Sequence, residues 1–297
     1  MYKTLLKYTT SFIYNQKNMN ISVELRKKVE TVFEQLDGFK NRIEKFPYGY
    51  KKREFFKIME EFHVFLASFE DEELCEMVLH SEKYEEYKKF FRGKNDYFMR
   101  AVETVEALDI ISKKVGVELS LLDFISAKFL KEVFLNKGKE LQSLEMKGAK
   151  KMVFVGSGPL PDTCLYVYEN TDIPTLIGLD YNEEAIYISS QFIENLGFND
   201  RIHLECMDGC KYNYADADIV YIAGFVPLKH EILDQIAKTS TNPDVQILVD
   251  STSGMSKLLF EDINEMSINK RLKIDVINSS KSKLYSWKMI KITKYDI

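Results

Sequence analysis

The second half of the chain alternates short β-forming runs with stretches of helical pattern, and this alternation restricts the fold more than any other feature. The runs, rich in Val, Ile, Leu and Phe, are 152–155, 175–179, 202–205, 219–222 and 245–249. Helical patterns follow them at 162–169, 183–196, 229–239 and 254–265. Strands that alternate with helices predict βαβ units and a mainly parallel sheet.

Two further β-rich runs, 272–277 and 287–292, lie near the end of the chain. Polar residues at 278–283 separate them, so we expect an antiparallel pair at one end of the sheet. An ending of this kind is common in S-adenosylmethionine-dependent methyltransferase folds, which this half of the chain resembles.

The first half of the chain is rich in Glu, Lys, Phe and Leu and contains one proline, Pro47. Its apolar residues recur at helical spacing, as in the rows Phe55, Met59, Phe62, Phe65 and Val102, Val105, Leu108, Ile111. We therefore predict several helices through 20–145, with a break around Pro47–Gly49. The predicted fold class is α/β, with an N-terminal all-helical domain at 1–148 and a Rossmann-like domain at 149–297, for which the resemblance implies S-adenosylmethionine binding.

The composition disfavours two classes of function. The net charge is -5, from 41 basic and 46 acidic residues, whereas a duplex-binding protein normally carries a basic surface. No apolar stretch is long enough to span a membrane. We therefore expect neither a nucleic acid nor a membrane as partner.

The cysteines and the N-terminus favour a reducing compartment. The four cysteines form no CxxC pair and the four histidines are scattered, so no zinc pattern emerges and we expect no metal. The first 20 residues lack a continuous apolar segment and a small-residue cleavage site. We expect free thiols and a cytoplasmic protein.

A glycine-containing turn follows the first β-rich run. The run leads directly into the segment Gly156-Ser157-Gly158-Pro159-Leu160-Pro161. Glycines at a strand-to-helix turn let the backbone approach a ligand, and the helix that follows offers free amides. The dinucleotide fingerprint GxGxxG is not met because position 161 is Pro, which disfavours NAD. S-adenosylmethionine has no pyrophosphate and does not need the third glycine.

Further cofactor-binding residues are expected at the ends of the other strands. Asp180 ends the second strand, where a carboxylate can accept hydrogen bonds from both ribose hydroxyls; its alternative role is a helix N-cap. Tyr181 can stack on adenosine or cover the edge of the sheet. Met207 and Asp208 follow the third strand and can meet the adenine ring and its amino group, or Asp208 can be an ordinary turn residue. The small residues that close the fourth strand and leave room for a ligand are Ala223 and Gly224.

Three segments resemble the nicotianamine synthases of plants and archaea and their bacterial relatives that make opine-type metallophores, such as staphylopine synthase. The first, Phe154–Pro161, resembles both groups. The second, Val226–Lys229 followed by Ile232 and Leu233, is similar to staphylopine synthase, and the third, Ser253–Phe260, is similar to the archaeal enzymes. Their order and spacing are preserved, and the resemblance covers about 100–265.

The resemblance implies a particular reaction. Such enzymes transfer the 3-amino-3-carboxypropyl (aminobutyrate) arm of S-adenosylmethionine to an amine, and methylthioadenosine leaves. The bacterial members use histidine as acceptor, so an amino acid such as histidine is the expected substrate. An opine dehydrogenase acts next in such pathways, and enzymes of this kind are often homodimers.

The resemblance also places a catalytic base on a helix about fifty residues before the glycine-containing turn. Glu103, within Val102–Ala107, matches that place best, and Glu106 is the fallback. A buried glutamate suits the task because burial raises its pKa towards neutrality. The alternative is a solvated helix glutamate.

The sequence departs from the archaeal pattern in two places. A catalytic tyrosine of the archaeal enzyme aligns with Val133, with Phe124 and Phe129 nearby. Asp250 stands where the archaeal family has an arginine, and it contacts the acceptor's ammonium or imidazole group or is a structural acid at the strand end.

Lys229 follows the fourth strand. It pairs with a substrate carboxylate, or it is a solvated lysine at a helix start. Two other functions compete with arm transfer for the chain as a whole: ordinary methyl transfer to a small molecule, which would release S-adenosylhomocysteine, and non-catalytic binding by a degenerate Rossmann domain.

Overall fold

The computed structural model describes residues 23–46, 52–113, 128–281 and 286–294. The first part is helical, as predicted, while the expected break at Pro47–Gly49 and residues 1–22 lie outside the described residues. The helices are α1 (Val23–Glu44), α2 (Lys52–Ala67), α3 (Glu72–Leu79), α4 (Tyr84–Ser112) and α5 (Lys128–Leu141).

Aromatic side chains fill the space between these helices. Phe62 on α2 is fully buried, and its ring centroid lies 4.2 Å from that of Phe91 on α4 and 4.9 Å from that of Phe39 on α1. Phe55 and Met59 are buried on the same face of α2, as the sequence row predicts. Burial of these large apolar groups is the main force that holds the helices together.

The apolar row at 102–111 lies in a helix, as predicted, but only part of the row is buried. Val102 is buried, but Val105 and Leu108 are 47% and 48% exposed. A step of three residues falls about 60° behind one full helical turn, so such a row moves off the buried face. The buried face of α4 instead follows steps of four residues with a single step of three, and it contains Phe91, Asn95, Phe98, Val102, Glu106 and Ile110.

The second part is a seven-stranded sheet flanked by helices, and it confirms the predicted fold class. The strands are β1 (Lys151–Val155), β2 (Thr175–Asp180), β3 (Ile202–Cys206), β4 (Ile219–Ile222), β5 (Gln246–Thr252), β6 (Leu272–Lys281) and β7 (Ser286–Lys294). The helices are α6 (Asp162–Asn170), α7 (Glu183–Leu196) and α8 (Lys229–Thr239). The strand order is β3-β2-β1-β4-β5-β7-β6.

The topology positions a ligand site between β1 and β4. Strands β1 to β5 pair in parallel, whereas β7 pairs antiparallel with both β5 and β6, as expected for the end of the sheet. β1 has β2 on one side and β4 on the other, so the strand order reverses there. Open sheets of this kind bind ligands at the carboxyl ends of the strands beside such a reversal.

The two faces of the sheet belong to different cores. Met152 and Phe154 of β1 pack in the core that also contains the N-terminal helices, while Val153 and Val155 pack against α8 on the opposite face. The proposed domain boundary at residue 148 lies between α5 and β1. One apolar core therefore connects the helical part to one face of the sheet.

The predicted helix at 254–265 is wrong. This segment forms short 3-10 helices at Gly254–Leu258 and Glu265–Ser267, with an irregular stretch between them. Side chains from distant elements bind the backbone of this segment: Arg92 donates to the carbonyl oxygens of Lys257 and Phe260, and Lys229 donates to that of Glu261. These long-range bonds satisfy carbonyl groups of an irregular conformation that the local sequence pattern does not reveal.

We predict that Phe62→Ala lowers the free energy of unfolding by about 3–5 kcal/mol, because a large cavity would remain among packed aromatic rings. Val105→Ala on the exposed face of α4 serves as the control and should change the free energy by about 0.5 kcal/mol or less. Chemical denaturation measures both. Equal losses in the two variants would contradict the assigned core.

Candidate functional site

A cavity of about 430 Å³ opens at the carboxyl ends of the strands and is bounded on the other side by α4 and α5. Every predicted site residue except Lys229 lines this cavity: Glu103, Gly156, Ser157, Gly158, Pro159, Asp180, Tyr181, Met207, Asp208, Ala223, Gly224 and Asp250. Val133 of α5 also lines it. Of the aromatic residues expected nearby, Phe124 and the side chain of Phe129 lie outside the described residues.

The turn after β1 requires its glycines. Gly156 and Gly158 have φ angles of +84° and +63°, a region that side chains rarely adopt. A Cβ atom on Gly156 would collide with Val226, so the turn packs directly against the segment after β4. The amides of Gly156 and Ser157 both donate to the carbonyl oxygen of Leu179, at 2.8 and 2.9 Å. These bonds fix the turn to the end of β2.

Asp180 is held at the end of β2 by two backbone amides. Its Oδ2 accepts from the amide of Gly158 and its Oδ1 from the amide of Asn182, both at 2.9 Å. The N-cap of α7 is Asn182, whose side chain accepts from Glu184 and Ala185, so Asp180 is not the cap. A carboxylate has about four acceptor sites, so both oxygens keep capacity for a ligand in the cavity.

The segment after β3 contributes a methionine and an aspartate to the cavity. Met207 is 38% exposed, and its amide donates to the carbonyl oxygen of Asp180 at 2.9 Å. Asp208 accepts from the amide of Cys210 at 2.9 Å, which holds the pKa of Asp208 below its usual value. Asp208 is therefore a turn residue that also lines the cavity.

Glu103 reaches the glycine turn from the opposite side. A Cβ atom on Gly158 would lie 2.5 Å from Oε2 of Glu103, so this carboxylate lies against the backbone of the turn. Burial raises the pKa of Glu103 well above its ordinary value, and the neighbouring Asp162 and Asp180 raise it further. Glu106 is buried on the face of α4 that packs within the helical part and does not line the cavity.

Lys137 of α5 is a buried cation in the cavity wall that the sequence analysis did not identify. It is 6% exposed, and its Nζ lies 3.2 Å from Glu140 and 3.7 Å from Asp162. Glu140 also accepts a bond from the hydroxyl of Tyr221 at 3.4 Å. The signal was present: Leu130, Phe134, Lys137 and Leu141 follow core spacing on α5, with a lysine in an apolar row.

Asp250 lies on the cavity wall beside the end of β4. A Cβ atom on Gly224 would lie 2.8 Å from Oδ2 of Asp250, so any larger residue at position 224 would displace this carboxylate. Burial raises the pKa of Asp250 to about 7, and Glu140 contributes to the rise.

The predicted pairing of Lys229 with a substrate carboxylate is not supported by its position. The residue is 2% exposed and does not line the cavity. Its Nζ donates to the carbonyl oxygens of Gly224, Asp250 and Glu261, at 3.0, 2.6 and 3.0 Å. Because an ammonium has three protons, these bonds use its full donor capacity. Lys229 joins the ends of β4 and β5 to the following segment, so it is neither solvated nor available to a ligand.

Comparison with known proteins decides the family. A family model described as nicotianamine synthase protein matches residues 136–285, which is half of the chain. The chain belongs to the nicotianamine synthase family. No curated protein sequence matches it.

Solved structures agree with the fold of this nicotianamine synthase family member. MtNAS in complex with MTA and tNA superposes with a TM-score of 0.76 at 15% identity, over 89% of this chain and 98% of that one. A mutant of MtNAS in complex with S-adenosylmethionine gives a TM-score of 0.73 at the same identity and coverage. The cyclase SpnF gives 0.51 at 10% identity, over 66% and 95% of the two chains.

The cavity of this nicotianamine synthase family member carries an excess of negative charge. Its described lining contains six carboxylates and two cations, Arg100 and Lys137. Arg100 pairs with Asp96 at 2.6 Å, and both side chains are partly exposed. An electronegative cavity favours a ligand with positive charge.

Among the residues that the structure describes, no group of three or more His, Cys, Asp or Glu side chains is placed to hold a metal ion. None of the described helices is long and apolar enough to cross a membrane.

We predict that Gly158→Ala weakens the binding of S-adenosylmethionine at least tenfold, because the new Cβ displaces Glu103 and forces a left-handed alanine into the turn. Gly148→Ala is the matched control, since Gly148 has φ +83° with open space around it. Both variants should lose about 1–2 kcal/mol of stability. Isothermal titration that shows equal affinities for the two variants would contradict the placement of the ligand at this turn.

Proposed function

We propose that the protein is a transferase that moves the 3-amino-3-carboxypropyl arm of S-adenosylmethionine to the amine of an amino acid and releases methylthioadenosine. The observation that carries this proposal is the position of Gly158 between two carboxylates. Asp180 on one side is suited to the ribose, and Glu103 on the other side is suited to a proton transfer. Donor and base thus meet at one turn.

The donor is proposed to lie along the carboxyl ends of β1 to β4. Asp180 would accept from the ribose hydroxyls, and Met207, Asp208 and Tyr181 would surround the adenine. The sulfonium and its arm would pass the glycine turn and the small residues after β4, towards α4 and α5. MtNAS has been solved with S-adenosylmethionine and with MTA, which supports this choice of donor.

The reaction needs a base because an amine is protonated at neutral pH. In the proposed step Glu103 takes a proton from the acceptor ammonium, and the free amine attacks the arm carbon bonded to sulfur. The new N–C bond forms as the C–S bond breaks. The electron pair of the broken C–S bond stays on sulfur, which becomes neutral in methylthioadenosine. The raised pKa of Glu103 matches this task because a more basic carboxylate removes the proton more readily.

Asp250 is proposed to contact the positively charged group of the acceptor. It lines the same cavity as Glu103, and the excess of carboxylates there favours a cationic substrate. Histidine, which the bacterial relatives use, would bring an ammonium and an imidazole to this place. We also propose that residues 1–148 form the acceptor side and lid, and that residues 149–297 hold the donor.

The biological setting follows from the same resemblance. We propose a cytoplasmic enzyme of opine-metallophore biosynthesis whose product passes to an opine dehydrogenase and chelates a transition metal. A homodimer is the expected assembly.

The nucleoside product tests the reaction type. Incubation with S-adenosylmethionine and single amino acids, followed by mass analysis, should yield methylthioadenosine with at least one acceptor, and histidine is the first candidate. Formation of S-adenosylhomocysteine alone would identify a methyltransferase instead. Binding of the donor with no product from any acceptor would favour a non-catalytic protein.

The variant Glu103→Gln should retain donor affinity and lose at least about 100-fold in turnover, because glutamine keeps the shape but cannot accept the proton. Glu106→Gln, one turn along the same helix, serves as the comparison and should retain most of the turnover per folded molecule. A larger loss from Glu106→Gln than from Glu103→Gln would exchange their roles.

The pH dependence of turnover should also show that Glu103 acts as the base. The base works only when it is deprotonated, so turnover should be high above the raised pKa of Glu103 and fall as the pH drops through it. Initial rates measured from pH 5 to 9, at saturating donor, show whether this limb exists. If the residual activity of Glu103→Gln fell with decreasing pH in the same way, a group other than Glu103 would be responsible for this pH dependence.

A further inference from the structure

Lys137 occupies an unusual place for a lysine. It stands in an apolar row of α5, it is 6% exposed, and it lines the cavity. Removing an ammonium from water is costly unless partners compensate for the lost hydration. Lys137 takes no part in the proposed proton transfer or in the proposed binding of the nucleoside.

The ammonium of Lys137 has donor capacity that its ion pairs do not use. A carboxylate oxygen of Glu140 lies 3.2 Å from Nζ, and the centre of the Tyr221 ring lies 5.4 Å from Nζ. Asp162 stands 3.7 Å from Nζ, which is an ion-pair distance but too long for a hydrogen bond. A further acceptor that enters the cavity can therefore bind a proton of this group.

Lys137 interacts with the charged groups around the proposed reaction centre. It interacts electrostatically with Glu103, with Asp162 at the start of α6, and with Asp250. The other cation of the described lining, Arg100, is paired with Asp96, and its side chain is 37% exposed. Lys137 is thus the buried cation of the described lining that interacts with the candidate base, whereas the proposed nucleoside site lies at Asp180 and Asp208.

We propose that Lys137 binds the carboxylate of the donor's amino-carboxypropyl arm, an inference that rests on S-adenosylmethionine as the donor in the proposed function. A carboxylate that leaves water needs a buried cation as partner, and Lys137 supplies one. Fixing the far end of the arm next to Glu103 holds its sulfur-bonded carbon where an amine can attack. Lys137 is then a positioning residue that fixes the donor's arm relative to Glu103.

Binding of two non-reacting ligands tests this role. S-adenosylhomocysteine has the complete arm, and its decarboxylated analogue differs only by the loss of the carboxylate. Isothermal titration of the full chain should show tighter binding of S-adenosylhomocysteine. In Lys137→Met the ratio of the two affinities should fall about tenfold or more, because the charge-assisted bond is lost.

Several variants separate this effect from loss of folding. The double variant Lys137→Met with Glu140→Gln avoids an unpaired buried carboxylate and should show the same reduced ratio. Arg100→Met removes the other cation of the lining and should retain the wild-type ratio. Lys151→Met removes a lysine that pairs with Asp216 outside the cavity, at 2.9 Å, and should also retain it.

The proposal is overturned if the folded Lys137 variants keep the wild-type ratio, or if Arg100→Met alone abolishes it. It is also overturned if Lys137→Met weakens both ligands equally, since that result indicates a structural role. Because these ligands do not react, the outcome is independent of whether the enzyme releases methylthioadenosine. A methyltransferase with an arm-binding Lys137 would fail the product assay and pass this one.

Discussion

The backbone of Gly158 lies between the carboxylates of Asp180 and Glu103, and the arrangement of the whole site depends on this contact. Its amide donates to Asp180 at 2.9 Å, and a side chain at this position would strike Glu103. The first contact belongs to the sheet and the second to the long helix α4. A glycine in a left-handed conformation therefore brings the two parts of the chain close enough to share one cavity.

Buried charge gives this cavity its chemical character. Burial makes Glu103 and Asp250 better proton acceptors, while Glu140 and Asp162 hold Lys137 as a cation in the wall. Such groups are costly for stability unless they are paired, so a chain that retains several of them around one cavity points to a ligand of complementary charge. S-adenosylmethionine fits because it carries a sulfonium, an ammonium and a carboxylate.

The sequence was sufficient for the sheet, since each strand is a local apolar run and its parallel pairing follows from the helices between strands. It also placed Asp180 and the glycines at one edge. It failed where distant side chains decide the structure. The segment expected to be a helix at 254–265 is irregular, and Arg92 and Lys229 from distant elements bind its carbonyl oxygens. Lys137 was not predicted as a site residue because a lysine in a helix normally lies on the solvent-exposed face. Only the packing of α5 shows that this lysine is buried.

The orientation of the bound donor decides whether this site is built for arm transfer. A crystal structure of Glu103→Gln with S-adenosylmethionine would show that orientation without turnover. We predict that the arm extends towards α5, with its carboxylate about 3 Å from Nζ of Lys137 and its sulfur-bonded carbon facing residue 103. A donor whose methyl group faces residue 103, with the arm directed away from Lys137, would contradict it.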